Sequence, residues 1–158
     1  MKNLFAFLLL VCISCQKTSM DVVDVGLKIN VVNSENSDLL NPSNSNSISL
    51  NEIEFEYSSS LGQKAKLGTF AVNNPTIYQN GTSYILEIWP SILQFDPIPA
   101  ESWVKIYWPD GKMDKINFEI ISSGSITTVS KVYLNDNLKW PSQNTPNSTD
   151  PRIISILK

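Results

Sequence analysis

The chain is predicted to be all-β, folded as an antiparallel immunoglobulin-like β-sandwich, with a small β-barrel as the alternative architecture. Three observations predict this. Apolar residues recur at every second position in segment after segment, the period of a half-buried strand. No segment sustains the 3.6-residue period of an amphipathic helix, and there is no heptad pattern. Turn signals rich in Asn, Gly and Pro separate roughly eight to ten short strands, as in a sandwich or barrel. The 158 residues suffice for one domain, read as a single sandwich over 21–158.

The elements follow in order. Val23, Val25, Leu27, Ile29 and Val31 alternate with mostly polar neighbours and mark the first strand. Residues 33–47 are rich in Asn and Ser and include Pro42, so they form a loop, from which Leu39 and Leu40 reach toward the core. Ile53, Phe55 and Tyr57 alternate with Glu52, Glu54 and Glu56, a strand with an acidic outer face. A turn over 58–63 leads to a weaker strand over 64–72, and Asn73-Asn74-Pro75 turns the chain again. In Gln79-Asn80-Gly81-Thr82, Asn-Gly supplies the positive φ angles of a type I′ hairpin turn. It joins a short strand near Ile77 to one over 83–89. Residues 90–102 contain Pro90, Pro97 and Pro99 and read as a long loop. A strand over 103–108, the turn Pro109-Asp110-Gly111 and a strand over 115–121 follow, with Ile116, Phe118 and Ile120 inward. Residues 122–125 turn the chain into a strand over 126–134, and Asn135-Asp136-Asn137 reverses it into 138–140. A polar loop over 141–151 precedes a closing strand over 152–157.

Composition removes several chemistries. There are 12 Lys+Arg against 15 Asp+Glu, a formal net charge of -3, which argues against nucleic acid as a partner. The chain has no His, so Ser-His-Asp and Cys-His catalysis, His-based metal sites and imidazole pH sensing are excluded. Scattered glycines make no phosphate loop, and no zinc pattern exists, so no cofactor or metal is expected.

The N-terminus reads as an address. Lys2 is followed by an apolar run over 4–13, which has the length of a signal-peptide core and is too short to span a bilayer. The segment Cys12-Ile13-Ser14-Cys15 resembles the lipobox of bacterial lipoproteins, in which a small residue precedes the Cys that is lipidated after cleavage. Cys12 stands where Leu is usual, and Ser14 fits. The resemblance implies a signal peptide over 1–14, lipidation at Cys15 and a short tether over 15–20. Acyl chains on Cys15 would then hold the protein on a membrane, each buried methylene contributing about 0.8 kcal/mol. Gln16 in place of Asp after the Cys implies the outer membrane, facing periplasm or cell surface. With Cys15 lipidated, no disulfide and no catalytic thiol remain.

Further features carry a wider resemblance. They are Cys15, the loop Ser37-Asp38-Leu39-Leu40-Asn41-Pro42, the segment 53–57, the turn from Trp108-Pro109-Asp110-Gly111 to Asp114-Lys115-Ile116, and the hairpin over 131–140. With these the chain resembles the small outer-membrane lipoproteins of the Bacteroidetes, a family of uncharacterised function. The resemblance implies a location and an architecture, and no catalytic residues.

Among candidate sites, the aromatic residues are the most informative. Trp89, Trp103, Tyr107, Trp108 and Trp140 fall at or near strand ends or beside Pro-containing loops. Sugar rings have flat C–H faces that stack on aromatic rings. Trp103, Lys105 and Tyr107 share one face of their strand, opposite Val104, Ile106 and Trp108, so they are the candidate ligand-binding residues. Trp residues also fill cores. Glu87, on an apolar strand, with Asp96, Glu101, Asp110, Asp114 and Glu119, offers carboxylates for a small glycan hydrolase. Glu119 reads better as a solvent-facing strand residue, and Asp110 and Asp114 as turn residues. Asp110 to Asp114 lacks the ligand spacing of a calcium loop. Glu52, Glu54 and Glu56 read as a solvated face. Loops over 33–47 and 142–150 offer contact surface for a partner. Asn80-Gly81-Thr82 and Asn147-Ser148-Thr149 match a glycosylation pattern but read as turns. The expectation is a lipid-anchored, non-catalytic binding or accessory module that presents strand-end loops and aromatic rings to a polysaccharide or an envelope protein. The alternative is a structural subunit of an envelope protein complex.

Overall fold

A computed structural model describes residues 22–60, 64–66, 74–90, 98–123, 126–141 and 152–158. The segments expected to be a signal peptide and tether (1–20, with Cys15), Asp96, Pro97, and the loop 142–150 with Asn147-Ser148-Thr149 lie outside the described residues. In chain order the strands are β1 (Val22–Asp24), β2 (Leu27–Val32), β3 (Glu54–Ser59), β4 (Lys64–Lys66), β5 (Thr76–Asn80), β6 (Ser83–Ile88), β7 (Glu101–Tyr107), β8 (Met113–Ser123), β9 (Ile126–Leu134), β10 (Asn137–Trp140) and β11 (Ile153–Leu157). They form two sheets that do not close into a barrel. The larger has the order β1-β9-β8-β7-β3-β4, with β10 added on β9, and the smaller has the order β11-β2-β6-β5.

The chain is thus a β-sandwich. Strands β2, β6 and β5 take the positions of B, E and D in an immunoglobulin-like fold. Strands β3, β7 and β8 take those of C, F and G. The sheets are antiparallel-rich, as expected, with two parallel pairings added. The first and last described strands pair in parallel, β1 with β9 and β11 with β2.

The core follows from alternation. Leu27, Ile29 and Val31 on β2, Leu86 and Ile88 on β6, and Ile154 and Ile156 on β11 face inward from the smaller sheet. Phe55 and Tyr57 on β3, Val104 and Ile106 on β7, Ile116, Phe118 and Ile120 on β8, and Val129, Val132 and Leu134 on β9 face them. On β9 the inward positions step by three between Val129 and Val132. The register shifts there, Glu119 opposing Lys131 while Ile120 opposes Val129, so Ser130 is the extra residue of a bulge. Ser130 Oγ donates to the Glu119 carbonyl (3.1 Å).

The first strand is two strands, which corrects the single strand read over 23–31. The chain leaves one sheet for the other at Val25-Gly26. A Cβ on Gly26 would come within 3.1 Å of Trp89 Nε1, so a larger residue there needs the indole to give by a few tenths of an ångström. Arg152 Nε donates to the Gly26 carbonyl (2.8 Å), Arg152 pairs with Asp24, and its guanidinium lies 5.4 Å from the Trp140 ring centroid.

Other boundaries moved less. β8 starts at Met113 and runs to Ser123, longer than the strand read over 115–121. Glu101 and Ser102 belong to β7 rather than to a loop. Of the weaker strand over 64–72, only Lys64–Lys66 is described. Glu52 closes a 3-10 turn, Leu50–Glu52, ahead of β3. The β5–β6 turn has positive φ at Gly81 alone, the pattern of a type II′ turn rather than type I′. The type I′ turn is instead Asn135-Asp136, with φ 50 and 64.

Leu39 and Leu40 do reach the core. Asp38 fixes their loop. Its Oδ1 accepts from Leu40 N (2.9 Å) and its Oδ2 from Tyr84 N (2.7 Å).

Candidate ligand-binding face

The outer face of the larger sheet gathers the groups with chemistry. Register arranges its side chains in rows across the strands. One row runs Ser58, Trp103, Asn117, Tyr133 and Leu138, from β3 through β7, β8 and β9 to β10. A row on one side of it holds Glu56, Lys105 and Lys115, and a row on the other holds Glu101, Glu119 and Lys131. Facing side chains on adjacent strands have Cβ atoms about 4.5–5.5 Å apart.

Trp103, Lys105 and Tyr107 are half-buried and face outward, while Val104, Ile106 and Trp108 are buried. These three do not form an open platform along β7, however. Lys105 Nζ binds Glu56 Oε1 (3.0 Å), and the Tyr107 hydroxyl donates to Glu56 Oε2 (3.2 Å). The hydrogen bond to Glu56 is the main reason the Lys105 ammonium is held above its ordinary pKa. The same clamp recurs two strands away. Lys131 Nζ binds Glu119 Oε2 (2.8 Å), and the Tyr133 hydroxyl donates to Glu119 Oε1 (2.6 Å). Lys131 foremost, then Tyr133, holds the Glu119 carboxyl below its usual range. In both clamps Lys lies directly opposite Glu and Tyr lies diagonal to it.

Sequence reasoning missed Asn117 and Tyr133, which the fold sets beside Trp103. The one signal was a repeated Lys-x-Tyr, Lys105 to Tyr107 and Lys131 to Tyr133. Neither end of the Asn117 amide has a hydrogen-bond partner among the described residues, and its Oδ1 is buried.

The other candidates sit apart. Trp108 is core, 3% exposed, its Nε1 donating to Asp114 Oδ2 (2.8 Å). Trp89 packs over Gly26, and Trp140 under Arg152. Glu87 lies on β6 in the smaller sheet, away from Glu101 and Glu119. Asp110 is the turn residue expected, its Oδ1 accepting from Lys112 N (3.0 Å). Asp114 is not a turn residue. It points inward, where burial raises its pKa but Lys158, Asn135 and Trp108 together hold it below the usual value. Lys158 also lies over the Trp108 ring, 4.6 Å from its centroid. Of the acidic strand face, Glu56 is clamped and Glu54 is exposed.

Elsewhere, an apolar hollow of about 310 Å³ lies between the 40–50 loop and the smaller sheet, lined by Leu40, Pro42, Ile48, Leu50, Ile77 and Tyr84 among others. Among the described residues, no cluster of His, Cys, Asp or Glu could hold a metal, and no helix is long and apolar enough to cross a membrane. The chain matches no family model, no curated protein and no solved structure.

Proposed function

We propose that this protein is a non-catalytic binding module of the bacterial outer membrane, held by acyl chains on Cys15, that presents the outer face of its larger sheet to a glycan. The row containing Trp103, Asn117 and Tyr133 carries the reading. Two half-exposed aromatic rings flank an unpaired amide on a rigid sheet, which suits a ligand with apolar ring faces and polar edges. The anchor rests on the lipobox residues Ser14 and Cys15.

The test is a titration of the full chain, in a detergent without sugar headgroups, with a panel of envelope and dietary polysaccharides, following tryptophan fluorescence. Saturable binding to one glycan class, weakened in Trp103→Ala, supports the reading. Absence of binding across the panel overturns it.

A second reading, a subunit of an envelope protein complex, draws on Ile121 and Ile126, 55% and 52% exposed near the β8–β9 turn. A stoichiometric partner retained by the native protein and lost in Ile121→Ser/Ile126→Ser would favour it.

A further inference from the structure

The face described above has a direction and a charge, and both narrow its ligand. Three lysines stand on the outer face of β7, β8 and β9, and each is committed to a carboxylate. Lys105 binds Glu56, Lys115 binds Asp136 (3.4 Å), and Lys131 binds Glu119. Glu54 and Glu101 have no cation partner among the described residues. Across β3, β7, β8 and β9 an anionic chain would therefore meet unpaired carboxylates and no free ammonium among the described side chains; Lys64 and Lys66, opposite Ser58 and Glu56, stand one strand further out on β4. The phenols of Tyr107 and Tyr133 are engaged as well. The Asn117 amide is the polar group between the rings without a protein partner.

An acceptor buried without a donor costs about 1–3 kcal/mol. Asn117 is placed where an apolar residue would serve the sheet better. Its neighbours in the row are aromatic on both sides, and the row spans five strands, roughly 19 Å at a strand spacing of about 4.8 Å. Along β7, by contrast, the Lys105–Glu56 pair interrupts the path from Trp103 to Tyr107.

Building on the glycan-binding reading, we infer that the ligand is a neutral, linear oligosaccharide lying across the strands, with Asn117 as its hydrogen-bonding residue and Trp103 and Tyr133 as its stacking platforms. A sugar oxygen accepts from Asn117 Nδ2, the end of the amide that is not buried.

The experiment is calorimetric titration of the full chain with neutral linear hexasaccharides (β-linked glucose and mannose, α-linked glucose) and with anionic ones (oligogalacturonate, chondroitin sulfate), at about 0.05 and 0.5 M salt. Expected is binding of a neutral hexasaccharide that changes less than about twofold with salt and rises with chain length from disaccharide to hexasaccharide. Asn117→Leu keeps side-chain volume while removing the amide, and is expected to weaken binding at least about tenfold. Its urea midpoint is expected to stay level or rise, because the unpaired acceptor is gone. Asn117→Ser serves as a second variant should Leu disturb the sheet. Binding of anionic chains alone, lost in Trp103→Ala, overturns the inference and leaves the binding-module reading intact. Neutral binding unchanged in Asn117→Leu and Asn117→Ser also overturns it. Failure of every sugar to bind overturns both.

Discussion

Trp103 and Tyr133 share one row of the larger sheet, two strands apart, with Asn117 directly between them. Thirty residues of sequence separate them, and two antiparallel pairings bring them together. The clamps on Glu56 and Glu119 flank that row and fix the tyrosine rings by their hydroxyls. A partly apolar strip bordered by the clamped Glu56 and Glu119 follows from these pairings.

The Tyr133 hydroxyl and ring are predicted to have separate roles. Tyr133→Phe keeps the ring and loses the bond to Glu119, costing about 1 kcal/mol of stability with glycan affinity held within about threefold. Tyr133→Ala loses the platform and weakens binding at least about tenfold. Urea unfolding and glycan titration of both variants check this, and equal binding loss in the two would contradict it.

The Asp114–Lys158 pair is predicted to tie the two sheets in a pH-dependent way. Their side chains are 11% and 7% exposed. Asp114 is held below its ordinary value of 3.8, so its contribution is whole at neutral pH and is lost as the pH falls through the folded-state pKa. Asp114→Asn should cost about 3 kcal/mol at neutral pH, because it strands the Lys158 ammonium. Urea midpoints taken at falling pH should show the gap between variant and parent shrinking below about pH 4. A constant gap would argue that the pair contributes through packing alone.

Arg152 is predicted to lock the crossing from β1 to β2. It binds Asp24 and the Gly26 carbonyl, and stacks over Trp140. Arg152→Ala should cost about 2 kcal/mol and raise amide exchange in β1 before the rest of the sheet. Arg152→Lys should recover only part, since a point charge replaces a planar fork. Unchanged exchange at Val22 to Asp24 would show that β1 is held by its pairing with β9 instead.

Lipidation at Cys15 is predicted to decide where the protein resides. With Cys15→Ala, membrane fractionation should find the protein released to the soluble fraction and without acyl mass. Persistence on the membrane would point to a protein partner as the anchor.

Most of the strand pattern was legible because inward residues on β2, β3, β7 and β8 are apolar and their neighbours polar. The same parity placed Trp103, Lys105 and Tyr107 outward. Alternation cannot reveal a change of sheet at Gly26, because Val25 and Leu27 are both inward, each in its own strand or crossing. Nor does it reveal register. Asn117 became a neighbour of Trp103 through the β7–β8 pairing closed by the turn at Asp110-Gly111, and Tyr133 joined them through the β8–β9 pairing, whose parity the Ser130 bulge shifts. Asp114 looked like a turn residue because it follows Asp110-Gly111. It is inward because β8 begins at Met113, and its partner Lys158 lies 44 residues away.

The central claim is that the Trp103–Asn117–Tyr133 row is the ligand surface. Its most direct test is a two-dimensional amide NMR titration of the isotope-labelled full chain, in the same detergent, with the tightest neutral hexasaccharide. The account predicts shifts at the Trp103 indole N–H, the Asn117 side-chain amide and the backbone of Tyr133, with Leu40, Ile77 and Tyr84 unmoved. Shifts centred on Leu40, Ile77 and Tyr84, or none in the row, would contradict it.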